Sequence, residues 1–379
     1  MSQSAQPSEQ AVAHDCVLAS VRAPRILIAA SGTGGHLIPA LHIARAIQSG
    51  APGAVIEFIG AGRPLEEKIV VANGFVRHVV MSAGIKRRGP LGVLRFAFRL
   101  PVGIFQCMRI MRRFRPDIVV GVGGYVSVLP VVLARVMRIP TWAHEAERHP
   151  GLANRVLGYF ADRISIAFAE TRFRGRAKTI HTGHPVRPEL ASVNRDGSRE
   201  DAPKRLLILG GSQGARGLDN AVERCGEILA AREVEVVHQC RPENVELVLN
   251  SYRAATVRAS VVSFIDDMAG AYEWSDIIIS RSGASSVAEI SCVNRPTIFV
   301  PYPFQQGTHQ SDNAQVLAAL NKAVIVEETQ AEFGRRLAEA LEKMLNRETY
   351  LAMKSAPCEP RGLGAAAAIA RGIMELARP

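Results

Sequence analysis

Beyond residue 22 the chain alternates short, uninterrupted apolar runs with longer stretches of helical spacing. Runs at 25–30, 55–59, 77–80, 118–121, 141–144, 164–167 and 179–181 read as strands, and 37–49, 64–73, 91–114 and 127–137 as helices. Apolar strands separated by helices predict a parallel sheet covered on both faces. Between Pro188 and Pro203 a polar stretch marks a linker. The pattern then restarts, with strands at 205–209, 234–238, 276–280 and 297–300 and helices at 215–231, 310–320, 331–345 and 365–376. A further helix opens after Gly283 and runs toward Cys292. The predicted class is α/β, with two Rossmann-like, doubly wound parallel-sheet domains at 23–187 and 204–360, a disordered tail at 1–22 and a linker at 188–203. Two such sheets place a ligand cleft between them, at the carboxyl ends of their strands.

Four strand-to-helix turns are built from small residues. They are Ser31-Gly32-Thr33-Gly34-Gly35-His36, Gly121-Val122-Gly123-Gly124-Tyr125, Gly210-Gly211-Ser212-Gln213-Gly214 and Ser280-Arg281-Ser282-Gly283-Ala284-Ser285-Ser286. A tight turn opening a helix presents free N–H groups and the positive end of the helix dipole, which suits a phosphate. Glu289, about one and a half turns into the last helix, is placed to accept from sugar hydroxyls. The plainer alternative is a helix capped by Ser282 or Ser285 with an exposed glutamate. No Gly-Lys-Ser/Thr follows any turn, which excludes a P-loop, and Leu37 stands where a dinucleotide fingerprint needs its third glycine. Glu57 accordingly reads as an edge charge rather than a ribose-binding acid.

His36 closes the first turn at a helix start, where the dipole disfavours the imidazolium. It reads either as a neutral base or as a cap-region histidine bonded to a nearby carbonyl. A second polar cluster, His144-Glu145-Ala146-Glu147-Arg148-His149, ends the 141–144 strand. Its second histidine stands at i+5 and Pro150-Gly151 follow, so it is not the His-Glu-x-x-His zinc motif; a strand-end acid–base pair is the alternative.

Charge adds a partner. The 379-residue chain carries a net +11, enough to expect attraction to an anionic surface or substrate. Between Gly84 and Pro116 nine basic residues face no acid and are interleaved with Ile85, Leu91, Val93, Leu94, Phe96, Phe98 and Phe105. This describes a surface resting on anionic lipid, led by Ile85, Lys86, Arg87, Arg88, Leu91, Leu94, Arg95 and Phe98. A solvated helix face over ordinary core is the alternative; no RNP-like strand or Cys/His finger supports a nucleic-acid partner. Six scattered cysteines without C-x-x-C spacing indicate neither zinc nor disulfides, and hence a reduced, cytoplasmic protein. No signal peptide is expected, and the uncharged runs 26–41 and 118–134, broken by Pro39 and Pro130, fall short of the roughly 20 apolar residues of a membrane span.

Taken in order, Gly-Thr-Gly-Gly-His (32–36), Gly-Gly-Tyr-Val-Ser (123–127), Thr-Gly-His-Pro-Val-Arg (182–187), Gly-Gly-Ser-Gln-Gly-Ala-Arg (210–216), Phe-Ile-Asp-Asp-Met (264–268) and Ser-Arg-Ser-Gly-Ala (280–284) form a specific array. With Val300-Pro301 leading to His309-Gln310 and Asn313-Ala314, it resembles the MurG family of peptidoglycan N-acetylglucosaminyltransferases over nearly the whole chain from Arg25. The resemblance implies the GT-B fold, with the C-terminal helix (about 361–379) returning to the first domain. It implies UDP-N-acetylglucosamine as donor substrate, with no cofactor and no metal ion. Uracil would meet the main chain of Ile265, and the ribose hydroxyls Glu289. The diphosphate would lie on Ser212, Arg187 and the N–H groups of Ala284, Ser285 and Ser286, in a donor site continuing through Val287 and Ala288. Gln310 and Glu147 would meet the sugar, and Thr33, Gly34 and Gly35 would close over it. His36 is the candidate base, with Glu145 second. Gly123, Gly124, Tyr125, Ser127 and His144 would serve the acceptor, undecaprenyl-linked lipid I, whose 4-hydroxyl attacks with inversion to give lipid II. A peripheral place on the cytoplasmic face of the cell membrane follows, within reach of other cell-wall synthesis proteins.

The chain departs from the family pattern twice. The family usually reads His-Glu-Gln-Asn where this chain has His144-Glu145-Ala146-Glu147, and Asn where it has His184. Three rival readings keep part of the pattern: a glycolipid synthase using diacylglycerol, a UDP-sugar epimerase that needs no acceptor, and a non-enzymatic RNA- or lipid-binding protein.

Overall fold

The structure, a computed structural model, describes residues 22–32, 34–81, 90–196, 202–211, 214–303, 309–329 and 332–377. Of the features singled out above, the tail through residue 21, linker residues 197–201, Thr33, Ser212, Gln213, Ile85, Lys86, Arg87 and Arg88 lie outside these, as do the side chains of Leu91, Val93, Leu94, Arg95, Phe96 and Phe98.

The first sheet has seven parallel strands: β1 (Arg25–Ala29), β2 (Val55–Gly60), β3 (Val76–Val79), β4 (Ile118–Gly121), β5 (Thr141–Glu145), β6 (Arg163–Ile166) and β7 (Lys178–His181). Their order is β3-β2-β1-β4-β5-β6-β7. Central strands such as β4 are buried at every position, because helices cover both faces. Those helices are α1 (Gly34–Gly50), α2 (Pro64–Ile69), α3 (Pro90–Phe114), α4 (Tyr125–Val136) and α5 (Leu152–Phe160). The short α5 went unread in the sequence. Pro150-Gly151, a stop for any helix through the His144 cluster, is also its start, with Gly151 at the N-cap.

The second sheet runs β10-β9-β8-β11-β12-β13, again all parallel: β8 (Arg205–Leu209), β9 (Glu235–Gln239), β10 (Ala259–Val262), β11 (Ile277–Ser280), β12 (Thr297–Phe299) and β13 (Ala323–Ile325). The helices α6 (Arg216–Ala231), α7 (Val245–Ala254), α11 (Phe333–Leu345) and α12 (Arg347–Ser355) pack on one face. On the other lie α8 (Met268–Trp274), α9 (Ala284–Val293) and α10 (His309–Ala318). The edge strands β10 and β13 escaped the sequence reading because Ser260 interrupts the apolar run of the first and the second, though apolar, is very short. One is only partly buried, and the other has three residues.

Two details of the connection matter for the site. The polar stretch after Pro188 is no free tether over its described part. Leu190 and Val193 bury in the second core, and Arg295 donates to the carbonyls of Asn194 and Arg195 at 2.9 and 3.2 Å. The last helix, α13 (Ala365–Ala377), returns to the first sheet, where Ile369 and Ile373 pack with Ile26, Ile28 and Trp142. The chain thus passes between the domains twice, and the two passages touch: His184 N–H donates to Arg361 O at 3.3 Å. Gly183 there has φ +78°, and a Cβ on it would collide with the Arg361 carbonyl. Gly183→Ala therefore combines backbone strain with overpacking and is expected to cost about 2–4 kcal/mol, read as a lowered Tm.

Candidate active site between the two sheets

Each sheet reverses its strand order once, between β1 and β4 in the first and between β8 and β11 in the second. These switch points are where open parallel sheets take ligands. The four glycine turns of the sequence follow those four strands, so local chemistry and topology meet at the same edges.

On the first sheet the turn after β4 needs glycine, since Gly123 and Gly124 have φ of 78° and 76°. The His36 ring packs on this turn: a Cβ at Gly123 would lie 2.5 Å from its Nδ1. Burial lowers the His36 pKa, so the imidazole is neutral. Ser127 is wholly buried, and its hydroxyl donates to Gly124 O at 2.7 Å, closing the first turn of α4. It is spent on the turn rather than offered to an acceptor. Gly34 and Gly35 open α1, and Tyr125 begins α4 half-buried. Glu57, on β2 just inside the edge strand β3, pairs with His78 of β3 at 2.5 Å.

The strand-end pair expected of His144 and Glu145 does not form. Glu145 is buried and accepts from the N–H groups of Glu147 and Gly151 at 2.9 and 3.1 Å and from Asn154 at 3.0 Å. Burial pushes its pKa up to about 7, against the pull of those donors. The carboxylate anchors the loop after β5. His144 turns the other way, its Nδ1 3.0 Å from Ser165 Oγ and its Nε2 3.1 Å from His184 Nδ1.

On the second sheet α9 starts at Gly283, which supplies no side-chain cap. Val287 N–H makes the first helical bond, to Gly283 O at 3.0 Å. The N–H groups of Ala284, Ser285 and Ser286 precede it and have no helical acceptor. Just before them Ser282 is wholly buried, and its hydroxyl finds no partner among the described residues. Val287 and Ala288, expected in the donor site, instead turn into the core. Glu289 is largely buried, neither exposed nor free: one oxygen accepts from Arg187 Nε at 2.9 Å, the other from the Tyr272 hydroxyl at 3.0 Å. Ile265 lies in the loop between β10 and α8, beside Phe264, which is 73% exposed. Gln310 accepts from Tyr302 N–H at 3.0 Å.

Across the cleft the two domains touch through specific bonds. His184 Nε2 lies 2.9 Å from Ser285 Oγ. Asn313, at 0% exposure, donates to Glu147 Oε2 at 2.5 Å and to Ser282 O at 3.3 Å, and accepts from Arg148 N–H at 3.3 Å. Ala167 and Phe168 of the first domain pack on Ala284 and Val316 of the second. All three residues where the chain departs from the MurG-family motifs, Ala146, Glu147 and His184, are therefore cross-cleft contacts. The sequence reading missed Tyr272, Phe264 and the bridging part of Asn313. Phe264 and Asn313 stood within recognised motifs without an assigned role, while nothing local marks Tyr272. Among the described residues no group of three or more His, Cys, Asp or Glu side chains could hold a metal ion.

Residues 26–166 match the glycosyltransferase family 28 N-terminal domain, and residues 205–369 the glycosyltransferase family 28 C-terminal domain. A UDP-N-acetylglucosamine–N-acetylmuramyl-(pentapeptide) pyrophosphoryl-undecaprenol N-acetylglucosamine transferase of Chromohalobacter salexigens is 36% identical over 359 residues, 93% of this chain and 97% of that one. A relative of the same name from Coxiella burnetii is 38% identical over 308 residues, 80% of this chain and 85% of its own. The crystal structure of Acinetobacter baumannii MurG superposes with a TM-score of 0.75 at 28% identity, covering 93% of this chain and 99% of the other. UDP-GlcNAc 2-epimerase from Neisseria meningitidis, bound to UDP-GlcNAc, shares the fold with a TM-score of 0.61 at 13% identity, over 93% of this chain and 99% of its own.

Proposed function

This chain belongs to glycosyltransferase family 28, and on that premise we propose that it transfers N-acetylglucosamine from UDP-N-acetylglucosamine to the 4-hydroxyl of the MurNAc unit of lipid I, making lipid II for peptidoglycan. The observation that carries this reading is the end-to-end match to relatives of that name, 36% identical across 97% of the relative's length.

The chemistry divides between the two edges. Uracil lies at Ile265, with the exposed Phe264 ring as its stacking face. Glu289 accepts from the ribose hydroxyls with the lone pairs that Arg187 and Tyr272 leave open. Arg187 meets Glu289 through Nε, which leaves its Nη groups to bind the diphosphate resting on the N–H groups of Ala284, Ser285 and Ser286. Gln310 and Glu147 border the sugar, with Gly34 and Gly35 opposite. The acceptor hydroxyl attacks the anomeric carbon, its proton passes to neutral His36, and UDP departs with inversion. Charge grows on the diphosphate as the bond breaks, where preorganised N–H groups and a guanidinium stabilise it most.

Among the described residues no helix is long and apolar enough to cross a membrane. The lipid-linked acceptor instead meets the protein at a membrane surface, through the basic, apolar segment 84–116 on the cytoplasmic side. Cosedimentation with vesicles containing anionic lipid tests that placement.

Radiolabelled UDP-N-acetylglucosamine incubated with lipid I, with diacylglycerol and with no acceptor separates the readings. Label should pass to lipid I alone; transfer to diacylglycerol, or loss of UDP-N-acetylglucosamine without acceptor, would replace the proposal with a glycolipid synthase or an epimerase. Phe264→Ala should weaken UDP by about 1–3 kcal/mol, the range of base–aromatic stacking. Its Tm should not move, because the ring buries little, and calorimetry with UDP reads both the affinity and its loss.

A further inference from the structure

We propose that His184, held by His144, turns the Ser285 hydroxyl into a hydrogen-bond donor toward the diphosphate at the start of α9, so that His184 is a positioning residue for the leaving group. The inference rests on the reading that α9 takes the diphosphate.

The groups form one continuous chain. Trp142 Nε1–H donates to Ser165 Oγ at 3.0 Å, and that oxygen lies 3.2 Å from Ala143 O and 3.0 Å from His144 Nδ1. His144 Nε2 meets His184 Nδ1 at 3.1 Å, and His184 Nε2 meets Ser285 Oγ at 2.9 Å. His144 and His184 are 2% and 1% exposed, so water does not compete for these bonds. Burial lowers both pKa values, which keeps each ring neutral with a single N–H.

A neutral imidazole that bonds through both nitrogens donates at one and accepts at the other. Two such rings in series must therefore point the same way, and the chain has two states. In the inward state Ser165 donates to Ala143 O, both rings carry the proton on Nδ1, and Ser285 donates its hydroxyl to His184. Its oxygen lone pairs then face the cleft, which repels an anion. In the outward state Ser165 donates to His144 Nδ1 and both rings carry the proton on Nε2. His184 then donates to Ser285 Oγ, leaving the Ser285 O–H for a phosphate oxygen. The states contain the same protons and differ in the tautomer of two rings. A diphosphate selects the outward state, and charge developing on it strengthens that preference. The bond also ties the second domain's helix start to the first domain's sheet, so the donor set is complete only with the cleft closed.

Two measurements test this. Nitrogen-15 NMR of histidine-labelled protein should show both His144 and His184 as Nε2–H tautomers in the UDP complex. Calorimetry should show His184→Phe weakening UDP about ten- to hundredfold, the range for a hydrogen bond to a charged group, while uridine binds as before. His184→Gln, whose amide N–H reaches the Nε2 position, should restore most of the loss. An Nδ1–H tautomer on either ring with UDP bound would overturn the inference. So would wild-type UDP affinity in His184→Phe alongside a loss in Ser285→Ala, which would leave the α9 site itself standing. UDP bound no more tightly than uridine by the unaltered protein would overturn both. Should His184→Phe fail to fold, the tautomers of the unaltered chain still decide.

Discussion

His36→Ala is expected to lower kcat by about 10²–10⁴-fold, the usual worth of a positioned general base, while UDP affinity stays within about twofold. The ring sits on the turn after β4, across the cleft from α9, so in the proposed reaction it would meet the acceptor hydroxyl rather than the nucleotide. The pH dependence separates it from its rival. Burial lowers the His36 pKa below its ordinary 6.5, so a rate that needs neutral His36 has its acid-side fall centred below that pH. It falls only on the acid side, as the lowered pKa is crossed. Glu145 has its pKa pushed up to about 7 by burial, so a rate that needs ionised Glu145 would already fall as pH drops through 7. A break in kcat/KM centred below 6.5 supports His36. A break near 7 that survives in His36→Ala would transfer the role to Glu145.

Glu289→Ala should be the most damaging change to donor binding, raising the UDP dissociation constant by at least about 100-fold. The carboxylate accepts from Arg187 on one oxygen and from Tyr272 on the other, and in the proposed donor site it would accept from the ribose hydroxyls as well. Truncation removes the ribose acceptor and also releases the guanidinium meant for the diphosphate. The Arg187 side chain is 26% exposed, so water takes over part of its charge, and the stability cost should be only about 1–3 kcal/mol. Tyr272→Phe, which removes one bond and keeps the ring in the core, should weaken UDP by less than about tenfold. Near-normal UDP affinity in folded Glu289→Ala would refute the ribose role.

The sheets were legible in the sequence because parallel strands are buried on both faces and read as unbroken apolar runs, Ile277-Ile278-Ile279 above all. Three of the four turns were legible because Gly32, Gly123, Gly124, Gly211 and Gly214 hold positive φ that admits little else, whereas Gly283, at φ −61°, was read only from its place between a strand and a helix. Elements without such signatures were not. Apart from the two edge strands, α8 announces itself only through the Asp267 side chain capping Gly270 N–H. Within the site, residue types and turns could be read, but not who bonds to whom. Arg187 and Glu289 stand 102 positions apart, and pairing them takes the second domain's fold. Ser127 shows the opposite error: a hydroxyl in a motif looked available until the turn of α4 was found to use it. Glu145 resembled a base because a carboxylate after a strand resembles one. The donors that occupy it come from a loop and a helix that only the folded chain brings round.

The most direct test is a crystal structure with UDP bound. The β-phosphate should lie within hydrogen-bonding distance of the Ala284, Ser285 and Ser286 N–H groups, with the His36 ring facing it from the other domain. Phosphates found on the turn after β4, or on any edge away from α9, would contradict it.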